Sequence, residues 1–72
     1  MAGLMQVDLS QRAQQALRLS PVHALRDLRV DQQGESLLIS GSVSSFYFKQ
    51  LAQEAVRTVD RTVDIVNAVC VD

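Results

Sequence analysis

The chain has 72 residues, enough for one domain, and a domain of this size buries only about 60% of the surface that it exposes when unfolded. Its core is therefore small and leaves little room for a deep active-site cavity. Apolar residues make up 47% of the chain, which favours a globular domain over a disordered segment. Seven Lys and Arg residues against eight Asp and Glu give a net charge of −1 with no basic block, so we expect no nucleic-acid partner.

The single cysteine, Cys70, excludes an internal disulfide and every CxxC-type metal or redox motif. The first residues lack the positive patch, the long apolar stretch and the cleavage site of a secretory signal. No apolar run approaches the roughly 20 residues that a membrane span requires. We therefore expect a cytoplasmic location if the chain is complete, and a periplasmic or envelope location if it is excised from a larger protein.

A first helix is predicted over residues 8–19. Asp8 followed three residues later by Gln11 forms a start similar to a capping box. Pro21 disfavours helical geometry at the residue before it, which ends the helix. One apolar stripe follows at helical spacing and comprises Leu9, Ala13, Ala16 and Leu17.

Two strands and a turn are predicted next. Leu28 and Val30 alternate with polar neighbours, which indicates a half-buried strand within residues 24–31. A turn is predicted over residues 32–34, since a glycine at its end adopts positive φ without steric cost. The second strand has apolar residues and a glycine of one parity, namely Leu37, Ile39, Gly41 and Val43.

A second helix and a third strand complete the domain. Ser44 or Ser45 is a suitable N-cap for a helix over residues 46–59. Residues 63–71 are rich in β-branched side chains and predict a strand. The helix has an apolar stripe that comprises Phe48, Ala52, Ala55, Val56 and Val59.

The predicted order is αββαβ, which favours an α+β two-layer sandwich. A three-stranded mixed sheet carries both helices on one face, because a helix that joins two strands packs back onto their sheet. The other face of the sheet is left open. We expect residues 8–72 to form this single domain and residues 1–7 to be a disordered N-terminal segment.

No residue pattern predicts a catalytic, metal or cofactor site. His23 and Cys70 are the only members of their types and share no local motif for nucleophilic catalysis. The three glycines form neither a dinucleotide-binding nor a phosphate-binding loop. Asp60 and Asp64 are closely spaced, but a solvated connection explains them better than a metal site. We therefore expect no cofactor and no enzymatic activity.

The segment 34–43 reads Gly-Glu-Ser-Leu-Leu-Ile-Ser-Gly-Ser-Val and resembles the second strand of the BON domain family (bacterial OsmY and nodulation domain). That strand has an apolar–polar–Leu-Ser-Gly–polar–Val pattern after a turn glycine. The resemblance covers residues 8–72. Positions that look like the second helix and the closing strand of the family are Ser45, Lys49, Ala52, Ala55, Val59, Val63, Val66, Asn67, Val69 and Val71.

The chain departs from the family pattern in two places. Thr62 stands where family members often have a glycine before the third strand, and Leu38 and Cys70 stand at positions that are usually polar. The resemblance implies a mixed three-stranded sheet covered by two helices and no enzymatic activity. It also implies attachment to phospholipid or to other proteins.

Two functional hypotheses follow. The first is a protein-interaction or self-assembly module that binds another protein, or a second copy of itself, through the open sheet face. The residues that carry it have the parity opposite to the core, namely Leu38, Val66, Ala68 and Cys70. A shifted or bulged third strand would instead bury some of them.

The second hypothesis is a module that attaches to a phospholipid surface. Phe46 and Tyr47 stand at the start of the second helix, where an aromatic ring can project into a headgroup region. In the alternative interpretation Tyr47 and Phe48 belong to the core, and Phe46 is a capping contact.

Overall fold

In the computed structural model, which describes residues 9–72, the chain forms two helices and a three-stranded mixed sheet, so the predicted α+β fold is confirmed. The predicted segment 1–7 and the capping residue Asp8 lie outside the described residues. The elements are α1 (Leu9–Arg18), β1 (Arg29–Gln33), β2 (Ser36–Ser40), β3 (Ser42–Val43), α2 (Phe46–Arg57), β4 (Asp64–Asn67) and β5 (Cys70–Val71), with a 3-10 turn at His23–Leu25.

The sheet has the strand order β1-β2-β4, with β1 antiparallel and β4 parallel to the central strand. Gly34, with φ of 62°, and Glu35 form the two-residue hairpin turn between β1 and β2. Gly41, with φ of 130°, separates β2 from β3, and β3 pairs with β5 in parallel. The pairing offset is the same on both sides of Gly41, because Ser36 faces Asp64 and Ser42 faces Cys70.

One apolar core lies between the helices and the sheet. Leu37 and Ile39 of β2 are fully buried, as are Leu17 of α1 and Val56 of α2. Burial of apolar side chains is the dominant favourable contribution to the folding of a domain this small. The buried core residues are Ala13, Leu17, Leu25, Leu28, Val30, Leu37, Ile39, Val43, Ala52, Val56 and Val69.

The first strand begins later than the sequence predicts. The structure has a 3-10 turn at His23–Leu25 and starts β1 at Arg29, whereas alternation suggested a strand within residues 24–31. Leu25 and Leu28 are both buried and stand three residues apart, which is the spacing of a helical turn rather than of a strand. The hairpin turn therefore consists of Gly34 and Glu35 instead of residues 32–34, because β1 continues through Gln33.

The side chain of Gln14 fixes α1 to the beginning of β1. Its Nε2 donates a hydrogen bond of 2.6 Å to the carbonyl oxygen of Leu28. Its Oε1 accepts a hydrogen bond of 2.8 Å from the backbone N–H of Val30. The Val30 N–H lies on the outer side of β1, which is an edge strand among residues 9–72, and the Leu28 carbonyl lies just before this strand.

Candidate interaction surface

The sheet has one covered face and one open face. Leu37 and Ile39 point into the core between the helices and the sheet. In β4, the Nδ2 atom of Asn67 donates hydrogen bonds to the Lys49 carbonyl oxygen at 2.9 Å and to Gln53 Oε1 at 3.2 Å, both on α2. Because side chains alternate along a strand, the residues between these positions lie on the open face.

Leu38 and Val66 lie side by side at the centre of the open face. They are direct partners in the parallel register of β2 and β4. Val66 is 50% exposed, and Leu38 is half-buried. Two apolar side chains are thus presented together on a surface that no element of residues 9–72 covers.

Ala68 and Cys70 continue this row toward β3. The Ala68 N–H donates to the Ile39 carbonyl and the Cys70 N–H donates to the Gly41 carbonyl, each at 2.9 Å. Both side chains are exposed, and the thiol of Cys70 is free. The four residues therefore form one set, which we call the apolar row (Leu38, Val66, Ala68 and Cys70).

Charged residues flank the apolar row, and the sequence analysis missed them. Asp31 pairs with Leu38, and Arg29 pairs with Ser40, so both lie on the open face at its β1 edge. Asp64 pairs with Ser36 and lies on the same face at the β4 edge. Their parity relative to Leu38 was the signal that could have found them. Arg29 and Asp64 lie at diagonally opposite corners of the face.

The aromatic residues divide at the start of α2. Phe46 is 60% exposed and Tyr47 is 65% exposed, whereas Phe48 packs against the core. Ser45 begins the helix, since its hydroxyl accepts a hydrogen bond of 3.3 Å from the Phe48 N–H. Tyr47 is therefore not a core residue, contrary to the alternative interpretation of this segment.

Asp60 stabilises the connection between α2 and β4 through hydrogen bonds to Thr62. Its Oδ1 accepts hydrogen bonds from the Thr62 hydroxyl at 2.6 Å and from the Thr62 N–H at 2.8 Å. These two hydrogen bonds favour the charged carboxylate and hold the pKa of Asp60 below its ordinary value. In residues 9–72, no three His, Cys, Asp or Glu side chains are grouped to hold a metal ion.

The described part of the chain contains no helix of the length and apolar character needed to cross a membrane. A scan against protein-family models and a search of curated proteins found no match to this chain.

Proposed function

We propose that this chain is a non-enzymatic interaction module of BON type that self-associates through its open sheet face. The observation that carries the proposal is the neighbouring pair of half-buried Leu38 and exposed Val66 on a face that neither helix covers. The BON assignment is supported by the αββαβ element order and by Gly34 at the hairpin turn. An apolar cluster on the free face of a two-layer domain is typical of a contact surface.

A second copy suits this face because two of its charged residues, Arg29 and Asp64, are complementary to each other. Arg29 and Asp64 occupy opposite corners, and Leu38 lies between them. We place a two-fold axis in the plane of the face, along the diagonal that does not join Arg29 and Asp64. This axis brings Arg29 of each copy over Asp64 of the other copy, and it brings the two Leu38 side chains together. The two sheets then cross at nearly a right angle, which is one of the two common arrangements of packed sheets. Two-fold dimers are also the commonest closed assemblies.

The area of the face indicates weak association. β1 has five residues, and the stretches 36–43 and 64–71 have eight each, so at about 3.3 Å per residue and a strand spacing of about 4.8 Å the face measures roughly 330 Å². A stable interface buries about 800 Å² on each partner. We therefore expect a dimer that forms at high protein concentration and dissociates on dilution.

Leu38→Lys tests self-association. A lysine at this position reaches water in the monomer but sets two like charges together at the centre of the dimer, so the variant is expected to remain monomeric. The fold is expected to be retained. Sedimentation equilibrium over a range of concentrations measures the difference between this variant and the wild type.

Gln50→Lys is the matched control, because Gln50 is exposed on α2 and the substitution changes the net charge equally. This control is expected to self-associate like the wild type. A wild-type chain that stays monomeric at millimolar concentration would exclude self-association. The open face would then remain available only to a different protein.

The exposure of Phe46 and Tyr47 favours a second candidate function, attachment to a phospholipid surface. Two adjacent rings at a helix start can enter the headgroup region of a bilayer. Their position at the beginning of α2 is separate from the apolar row, so the two candidates can be tested independently.

Phe46→Ala is expected to weaken co-sedimentation with liposomes while it changes the free energy of unfolding by no more than about 0.5 kcal/mol, as for other exposed residues. Phe48→Ala is the control that removes a ring packed against the core, and it is expected to lower the melting temperature. If the wild type sediments with neither neutral nor anionic liposomes, the lipid function is excluded for this chain.

A further inference from the structure

A cleft of about 480 Å³ lies where the C-terminal half of α1 meets the segment that leads into β1. Three arginines and one aspartate line it, so its formal charge is three minus one, or +2. The lining residues are Gln14, Arg18, Arg26, Asp27, Leu28 and Arg29. We call this region the arginine cleft.

The guanidinium groups of the arginine cleft keep most of their donors free. Among the residues that the structure describes, Arg26 is bonded through its Nε alone, which donates a hydrogen bond of 2.9 Å to the Ser20 carbonyl oxygen. Within residues 9–72, the side chains of Arg18, Arg29 and Asp27 engage no hydrogen-bond or ion-pair partner. The positive charge of the cleft is therefore not neutralised by a local carboxylate contact.

The backbone beneath the cleft is held in place. Gln14 bonds to the Leu28 carbonyl and to the Val30 N–H, which joins α1 to the first residues of β1. The bond from Arg26 to Ser20 also fixes the turn that follows α1. Arg18 on the helix and Arg26 on the turn thus project from backbone whose relative position is fixed. Such preorganisation reduces the entropy lost when a ligand binds.

We propose that the arginine cleft binds a phosphate group, presented either as free phosphate or by the headgroup of an anionic lipid. Arginine offers a planar fork of donors that matches phosphate oxygens, and three arginines line this one cleft. A charge of +2 complements a phosphate dianion. A nucleic-acid backbone fits less well, because the chain has a net charge of −1 and its sequence has no basic block.

Another cleft provides an internal comparison. Arg57 and Arg61 line it together with Glu54 and Thr58, so its formal charge is two minus one, or +1. It has one arginine fewer, and within residues 9–72 no side chain comparable to Gln14 is hydrogen-bonded to the backbone beneath it. We expect phosphate to prefer the arginine cleft.

Titration of the 72-residue chain with inorganic phosphate, followed by amide chemical shifts at constant ionic strength, tests the proposal. Saturable shifts are expected at Arg18, Arg26 and Leu28. Arg18→Gln is expected to weaken the affinity roughly two- to fivefold, the range for an exposed charge pair. Asp27→Asn removes the repelling carboxylate and is expected to strengthen binding by a similar factor, an effect opposite in sign to that of a merely destabilising substitution.

Arg57→Gln changes the net charge as Arg18→Gln does and is the control, with the wild-type affinity expected. Equal weakening by Arg18→Gln and Arg57→Gln would overturn the proposal, as would the absence of both saturable phosphate shifts and vesicle binding. Arg29 is not substituted in this test, because it also lies on the open sheet face and its loss could alter self-association. The phosphate result is therefore independent of whether the chain self-associates.

Vesicles of phosphatidylglycerol and of phosphatidylcholine distinguish the two sources of phosphate. Binding to the anionic vesicles that Arg18→Gln weakens would identify a lipid headgroup as the source. Binding of inorganic phosphate without vesicle binding would identify a soluble phosphate. Either result supports the site, and the absence of both refutes it.

Discussion

Leu37, Leu38 and Ile39 have nearly the same chemistry but lie in different environments. Leu37 and Ile39 are fully buried against the helices, whereas Leu38 stands on the open face beside Val66. The alternation of a strand causes this difference. A charge introduced at position 39 should therefore reduce stability strongly, whereas a charge introduced at position 38 should change it little.

Ile39→Asp is expected to abolish cooperative unfolding. A carboxylate at this position would be buried without a partner at a cost of several kcal/mol, and a domain of this length has only about 4–11 kcal/mol of stability. Thermal unfolding followed by circular dichroism measures the effect. Leu38→Lys, one residue away, serves as the control and should keep a sigmoidal transition. Retention of the wild-type transition by Ile39→Asp would show that the burial pattern of β2 is wrong.

The environment of Ile39 could be predicted from sequence, but the role of Gln14 could not. Parity along β2 is a local pattern that a single sequence displays. Gln14 lies beside the apolar stripe of α1 and has no local partner, so it resembled a solvated residue. Its two hydrogen bonds depend on where β1 lies relative to α1, and that position is set by packing at long range. Whether Tyr47 is exposed also could not be predicted, because it depends on how α2 packs against the rest of the domain.

At the scale of elements, both helices and the glycine-containing second strand were predictable because their periodicities are strong. The start of the first strand was not, because the alternation at Leu28 and Val30 suggested an extended segment, although Leu25 and Leu28 have the spacing of a helical turn. The backbone hydrogen bonds from Leu25 to Val22 and from Leu28 to Leu25 select the turn. The bend between β2 and β3 was also hidden within an otherwise regular pattern.

Gly41→Ala is expected to lower the free energy of unfolding by at least about 2 kcal/mol, because strained backbone costs about 1–3 kcal/mol and a clash adds to it. The glycine has φ of 130°, and an added Cβ would stand 2.6 Å from Leu28 Cδ2. Leu28 is buried and cannot move aside freely. Urea denaturation measures the loss.

Gly34→Ala is the comparison for this prediction, since its added Cβ meets open space and only the positive φ opposes it. The expected loss is about 1 kcal/mol. A larger loss at Gly34 than at Gly41 would show that the contact with Leu28 does not limit position 41.

At the scale of the whole molecule, self-association should be visible as added stability. A partner that binds only the folded state stabilises it by mass action. A total concentration of tenfold above the dissociation constant leaves about one fifth of the folded chains monomeric and adds about 1 kcal/mol, which raises the melting temperature of a domain of this size by roughly 4–8 °C. Calorimetry at several protein concentrations measures the shift. In Leu38→Lys the melting temperature should not depend on concentration, and a wild type with the same independence would contradict the dimer.

The parallel pairing of β2 with β4 also sets the order in which the sheet can assemble. The β1–β2 hairpin closes across a two-residue turn, an event of about 1–10 μs, whereas β4 must wait until α2 has crossed the sheet. During this interval the central strand is an unpaired edge that displays the run Leu37, Leu38 and Ile39 to neighbouring chains. Such an edge is a template for pairing between molecules. The kinetic hazard of this small fold therefore lies in its central strand, and any substitution that delays the arrival of β4 should promote aggregation during refolding at high concentration.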